Sequence, residues 1–191
     1  MKKLVALLFV SLTASLAFAG LDPDLDSFGL YYDAGGYMNC AAVGPFVPTN
    51  VYLLLSNPVG PTDGFECTLT PVGVPHFILS TNLGPAALDI DSSANGYVVG
   101  AASNYPVVNG QIVLATLQFM LAAPGSLEFF ITQATVPSMP GGLPVVTGNG
   151  VLRRCGVSSG AVSIPVLGMN PSFCPVSEEI SSFGDVKSLF R

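Results

Sequence analysis

Short apolar runs recur along the chain at regular intervals, each closed by Gly, Pro, Asn or Asp. That punctuation is the signature of strands joined by turns. Residues 28–33 place Phe28, Leu30 and Tyr32 on one side of a strand. The run Val51-Tyr52-Leu53-Leu54-Leu55 within residues 50–56 is almost continuously apolar, which predicts a strand covered on both faces. Phe65, Cys67 and Leu69 then alternate with Glu66, Thr68 and Thr70, predicting a half-buried strand with Cys67 turned inward. Further strands are predicted over 76–81, 96–101, 111–121, 126–132, 144–147 and 160–166. Seven to nine short strands at this spacing predict an all-β fold, an antiparallel β-sandwich. Only residues 85–90, as a single turn, and 184–191 suggest helix. No internal repeat is present.

Composition narrows this picture. Of 191 residues, only 6 are Lys or Arg and 12 are Asp or Glu, while Gly (21) and Pro (16) are abundant. Half the residues are hydrophobic, which excludes disorder driven by low hydrophobicity and high charge. So many helix breakers exclude a helical bundle. Lys2 and Lys3, an apolar stretch over 4–16 and Ala17-Phe18-Ala19 read as a signal peptide over 1–19. The alternative, an uncleaved membrane anchor, has a stretch short for the roughly 20 residues a span requires. Beyond residue 19 the chain keeps all 12 acids and four bases, a net charge of −8, with no Lys or Arg from Leu21 to Leu152. Nucleic-acid binding through a basic face is thereby excluded. The organisation expected is an acidic arm (20–27), a sandwich domain (28–170), then a linker and tail (171–191). No membrane span is expected after cleavage.

Four cysteines remain: Cys40, Cys67, Cys155 and Cys174. An even count in an exported chain reads as two disulfides. The preferred pairing is Cys40–Cys67 with Cys155–Cys174, because each closes a turn-rich segment; a zinc site lacks any Cys-x-x-Cys spacing. Three stretches, Val51–Pro58, Gly64–Pro71 and Val113–Phe119, resemble cohesin-like domains. They supply an early strand ending in Asn, a Gly-aromatic strand and a late Leu-Ala-x-Leu-x-Phe strand. Thr70-Pro71 stands where cohesins usually carry Tyr-Asp-Pro, and four cysteines are not typical of them. The resemblance implies a β-sandwich of cohesin-like or immunoglobulin-like type; it does not imply a dockerin partner. The tail Val186-Lys-Ser-Leu-Phe-Arg191 makes the chain similar to uncharacterised secreted bacterial proteins with short basic-apolar tails.

Candidate chemistry is sparse. Gly156-Val-Ser158-Ser-Gly160 matches the nucleophile-elbow string, but an elbow needs a following helix and a later His. His76 is the only histidine and precedes it. Glu66, Asp89, Asp91 and Glu128 are the carboxylates available for a glycoside-cleaving pair. Asp22, Asp24 and Asp26, with Asp33 farther on, offer oxygen ligands at alternate positions, a weak Ca²⁺ site at the sandwich edge; the plainer reading is a solvated acidic arm. Tyr31, Tyr32, Tyr37, Tyr52, Tyr97 and Tyr105 offer a sugar-stacking surface, without any Trp. The tail places Phe183, Val186, Leu189 and Phe190 beside Lys187 and Arg191 at the end of an acidic molecule. It docks either on its own domain or on another molecule. The function expected is a secreted, non-catalytic module for surface adhesion or extracellular assembly, acting through a protein partner or itself. Carbohydrate or calcium-dependent recognition is the alternative, and an enzyme the third reading.

Overall fold

The computed structural model describes residues 22–84 and 86–174. The segment 1–19 and the tail residues Phe183, Val186, Lys187, Leu189, Phe190 and Arg191 lie outside them. The described residues form thirteen strands and no helix. In chain order these are β1 (Ser27–Tyr31), β2 (Cys40–Ala41), β3 (Thr49–Ser56), β4 (Gly64–Gly73) and β5 (His76–Asn82). They continue with β6 (Ala87–Asp89), β7 (Gly96–Ala101), β8 (Gln111–Leu121) and β9 (Leu127–Thr132). The last are β10 (Val145–Gly148), β11 (Val151–Arg154), β12 (Gly156–Val157) and β13 (Leu167–Met169). The expected count of seven to nine matches the nine strands of four residues or more; the other four are stubs.

Two mostly antiparallel sheets make the sandwich. Sheet A runs β12-β1-β3-β8-β5 and sheet B runs β11-β10-β4-β9-β13-β2, with β7 also on β4 and β6 on β7. The first half of β4 pairs with β7 and β10, its second half with β9, so one ten-residue strand organises sheet B. Alternation sends Phe28, Leu30, Leu53, Leu55, Leu117 and Phe119 of sheet A inward against Phe65, Leu69, Val99, Phe129 and Ile131 of sheet B, all nearly or wholly buried. Phe119 meets Phe129 edge-on across the sheets, ring centres 4.7 Å apart, a geometry favoured by the aromatic quadrupole.

The structure corrects several local expectations. Of the helical turn expected over 85–90, the described residues 86–90 form none; β6 occupies Ala87–Asp89 and pairs with β7. Residues 160–166 are turns rather than strand, and β13 begins at Leu167. The cause is local: Ser159 Oγ donates to the Ala161 and Ile164 carbonyls, and Gly160 sits at a φ of 79°. A side chain that satisfies the backbone this way competes with the strand ladder. β11 returns along β10 through an Asn-Gly turn. Asn149 and Gly150 both have positive φ (53° and 76°), and Asn-Gly is the strongest short hairpin signal.

The disulfide pairing also differs. Cys40 bonds to Cys174, with Cα atoms 5.4 Å apart, whereas Cys67 and Cys155 are free, buried thiols. The sheet explains why these two do not bond. Cys67 lies one residue beyond the Glu66–Val145 pair and Cys155 one beyond the Val145–Arg154 pair, so Pro144 stands between them. Two strand spacings are about 9.6 Å, beyond disulfide reach. Closing a loop of 134 residues contributes on the order of 4–5 kcal/mol in the chain-entropy picture. Alkylation of the unreduced protein is therefore expected to modify no cysteine in the native state and two, Cys67 and Cys155, after unfolding. Four or zero modified cysteines after unfolding contradict the pairing.

Burial also shapes the alkaline limit. Burial pushes the Tyr105 hydroxyl up to about 12. It does the same to the Cys155 thiol, with Asp26 adding and Arg153 opposing. Tyr31 and Tyr97 are raised in the same direction, chiefly by burial. These acids ionise earlier in the unfolded chain, which then holds fewer protons than the native state. Their stabilisation is complete below the unfolded pKa values of 9.0 and 10.0 and is lost as pH rises toward about 12. The melting temperature is expected to fall steeply across that window, and a flat profile contradicts it.

Candidate functional site

The sequence candidates for catalysis are not brought together. Ser158 follows β12 at one edge of sheet A, and His76 lies on β5 at the other, about 19 Å away at four strand spacings. The imidazole of His76 instead donates to the Val74 carbonyl (3.2 Å) and rests near Phe119. Glu66 and Glu128 share the outward face of sheet B, but Glu128 is opposite Val72. Six residues along a strand are about 20 Å, twice the widest spacing of a glycosidase pair. Asp89 faces the opposite side of the sheet, because its register partner Val99 is a core residue. Tyr31, Tyr97 and Tyr105 are buried while Tyr37 is exposed, so the six tyrosines form no common surface.

The acidic arm is spent on structure. Asp22 accepts hydrogen bonds from Ser27 Oγ and from the Asp24 amide. Asp33 accepts from the amides of Gly35, Tyr37 and Met38, pinning the loop after β1. Asp26 forms an ion pair with Arg153, Oδ2 to Nε 2.9 Å, and accepts the Val59 amide. Among the described residues, no group of three or more His, Cys, Asp and Glu is placed to hold a metal ion.

What remains is a surface. On β4 the inward residues are Phe65, Cys67 and Leu69, so Gly64 and Glu66 face outward. Register then lays out two rows across five strands. The first is Leu88, Gly100, Gly64, Thr147 and Leu152. The second holds Val98, Glu66, Val145 and Arg154, and Ile90, whose amide donates to the Val98 carbonyl, extends it. Leu88 is 68% exposed, Ile90 72% and Leu152 45%. Nothing lies within 4 Å of where a Gly100 side chain would begin. The open space is at Gly100 alone, because a Cβ at Gly64 would meet the Val99 carbonyl and the Thr147 methyl. A shallow cleft of about 100 Å³ lies farther along the sheet, lined by Glu66, Val98, Ser138, Val145, Thr147 and Leu152 and by neither glycine. That is well under the 300 Å³ or more of a small-molecule pocket.

Polar groups frame the face. Glu66 is 5% exposed and its oxygens accept from the Ser138 amide and hydroxyl, both at 2.8 Å, anchoring the 133–144 loop beside it. Asp91 stands next to Ile90; the Ser93 amide donates to it (2.8 Å), holding its carboxyl below the usual range. Asp63 precedes Gly64 and accepts the Asn149 amide. Arg154 donates to the Pro140 carbonyl (2.8 Å) at the opposite corner. Sequence reasoning missed this face because its members are scattered over 63–154. The signal available was Gly64 and Gly100 on otherwise strand-like segments.

The seam near the face supplies a stability test. Arg153→Met leaves Asp26 charged, buried and unpaired. A loss of about 3–5 kcal/mol is expected in urea unfolding, with partial recovery in the double variant that adds Asp26→Asn. A loss below about 1 kcal/mol contradicts the assignment. The chain matches no protein-family model and no curated relative.

Proposed function

We propose that the protein is a secreted, non-catalytic interaction module for adhesion or assembly outside the cytoplasm, and that the outward face of sheet B is its docking surface. The observation that supports the reading is the exposure of Leu88, Ile90 and Leu152 on one side of sheet B, with open space at Gly100 among them. Burying the exposed parts of Leu88, Ile90 and Leu152 stabilises a complex by about 1–2 kcal/mol each. Export is supported by the signal-like segment 1–19 and agrees with the Cys40–Cys174 bridge, since such bonds persist in oxidising compartments. A cohesin-like or immunoglobulin-like type is supported by the two-sheet sandwich, in which Val51–Pro58, Gly64–Pro71 and Val113–Phe119 supply β3, β4 and β8.

The test uses proteins released by the same cell. Immobilised protein is expected to retain a defined partner that Leu88→Asp and Gly100→Thr each abolish, while both variants melt within about 2 °C of the parent. Gly100 has room for a side chain, so its variant fills that space without crowding the fold. Retention unchanged by either variant overturns the reading.

A further inference from the structure

We infer that the outward side of sheet A is a binding site for neutral polysaccharide, built from side-chain amides and hydroxyls on β3, β8 and β5. Register places the residues that carry it. Val51, Leu53, Leu117 and Phe119 are core residues, so Asn50, Tyr52, Thr116 and Gln118, which alternate with them, face outward. Pairing across β3, β8 and β5 then sets two rows, Asn50–Gln118–Ser80 and Tyr52–Thr116–Asn82, with Met120 opposite Phe77 beyond them. Asn50, Phe77, Ser80 and Asn82 are exposed, and Tyr52, Thr116, Gln118 and Met120 are half-buried. Farther along the same side Tyr31, Leu54, Ser56 and Gln111 are buried, which bounds the open part. Two strand spacings by four residues give that part about 10 Å by about 13 Å, room for a short stretch of glycan.

Charge selects the class of ligand. The five strands of sheet A contain no Asp, Glu, Lys or Arg, although the chain beyond residue 19 carries a net charge of −8. A solvated surface ordinarily holds about 25–35% charged residues. A polyanion meets no cation on this sheet, and a cationic ligand meets no carboxylate. What the patch offers instead is uncharged donors and acceptors. These cost far less than ions to remove from water, provided that the ligand pairs them.

The amides are oriented for that task. Gln118 Nε2 donates to Asn50 Oδ1 (3.1 Å), and the Gly84 amide donates to Asn82 Oδ1 (2.9 Å). Each bond fixes one end of an amide and leaves the other for a ligand: the Gln118 Oε1 acceptor and the Nδ2 donors of Asn50 and Asn82. A hydroxyl both donates and accepts, so neighbouring hydroxyls of a sugar ring can pair with donors and acceptors set side by side. Tyr52 adds a ring that is apolar on its face and polar at its tip. Side chains held in place before binding lower its ordering cost.

The test probes an array of neutral oligosaccharides (glucans, xylans, mannans, galactans and chito-oligosaccharides), beside uronate-containing and sialylated ones, with the full chain. Binding is expected to at least one neutral series and to no acidic one. Asn50→Asp and Asn82→Asp keep the two acceptor oxygens, so the double variant is expected to melt like the parent. It loses the donors and gains charge, and its apparent affinity is expected to fall at least about 10-fold. Tyr52→Ala is expected to weaken binding about 3- to 10-fold, and Leu88→Asp, on sheet B, to leave it unchanged. Silence across the neutral series, preference for acidic glycans, or binding indifferent to the double variant overturns the site. Capture of a protein that the double variant abolishes, without any glycan binding, overturns the glycan as occupant. The docking reading of sheet B fails separately, when partner capture ignores Leu88→Asp and Gly100→Thr.

Discussion

The Asp26–Arg153 ion pair is the constraint on which the closed side of the sandwich depends. Arg153 belongs to β11 in sheet B, while Asp26 immediately precedes β1 in sheet A. Between them the chain changes sheets: Cys155 donates to Pro144 and Gly156 donates to Asp26. The guanidinium also reaches the carbonyls of Pro61 and Gly60 and the Thr62 hydroxyl. Its donors are thus satisfied by the turn that leads into β4. The side chains are 15% and 8% exposed, so neither charge is tolerable alone. Together they hold the N-terminal arm, the β4 entry and the β11–β12 crossing in one place.

That seam positions β4, and β4 in turn sets the outward face. Its alternation commits Phe65, Cys67 and Leu69 to the core, leaving Gly64 and Glu66 to the other side. A carboxylate with 5% exposure is sustained there because Ser138 supplies two donors, a charge-assisted arrangement. Glycine at 64 answers a steric demand, since a Cβ would come within 2.7 Å of both the Val99 carbonyl and the Thr147 methyl. Glycine at 100 meets no such obstacle. A side chain there would find room without crowding the fold.

The distribution of charge gains a structural reading from this arrangement. The two bases of the sandwich both carry hydrogen-bonding duties, Arg153 in the seam and Arg154 on the Pro140 carbonyl. In the arm, Asp22 is likewise engaged with the Asp24 amide and the Ser27 hydroxyl, and Asp26 with the Val59 amide and Arg153. Asp63 and Asp91 accept instead from backbone amides, those of Asn149 and Ser93.

The sequence by itself determined the fold class. Alternation at Phe65–Thr70, the unbroken run at 51–55 and the Gly, Pro and Asn punctuation are local signals, and each became a strand with nearly the expected bounds. Local chemistry misled only where side chains rewrote the backbone pattern, as Ser159 does after β12, or where a two- or three-residue stub such as β6 forms only because a neighbour is there to pair with it. Tertiary structure alone decided which cysteines meet. That depends on Pro144 standing between Cys67 and Cys155 and on the return of the chain past β13 to Cys40. It also decided which residues share the outward side of sheet B, because residues from five strands become neighbours only through register, a relation between segments that no single segment encodes.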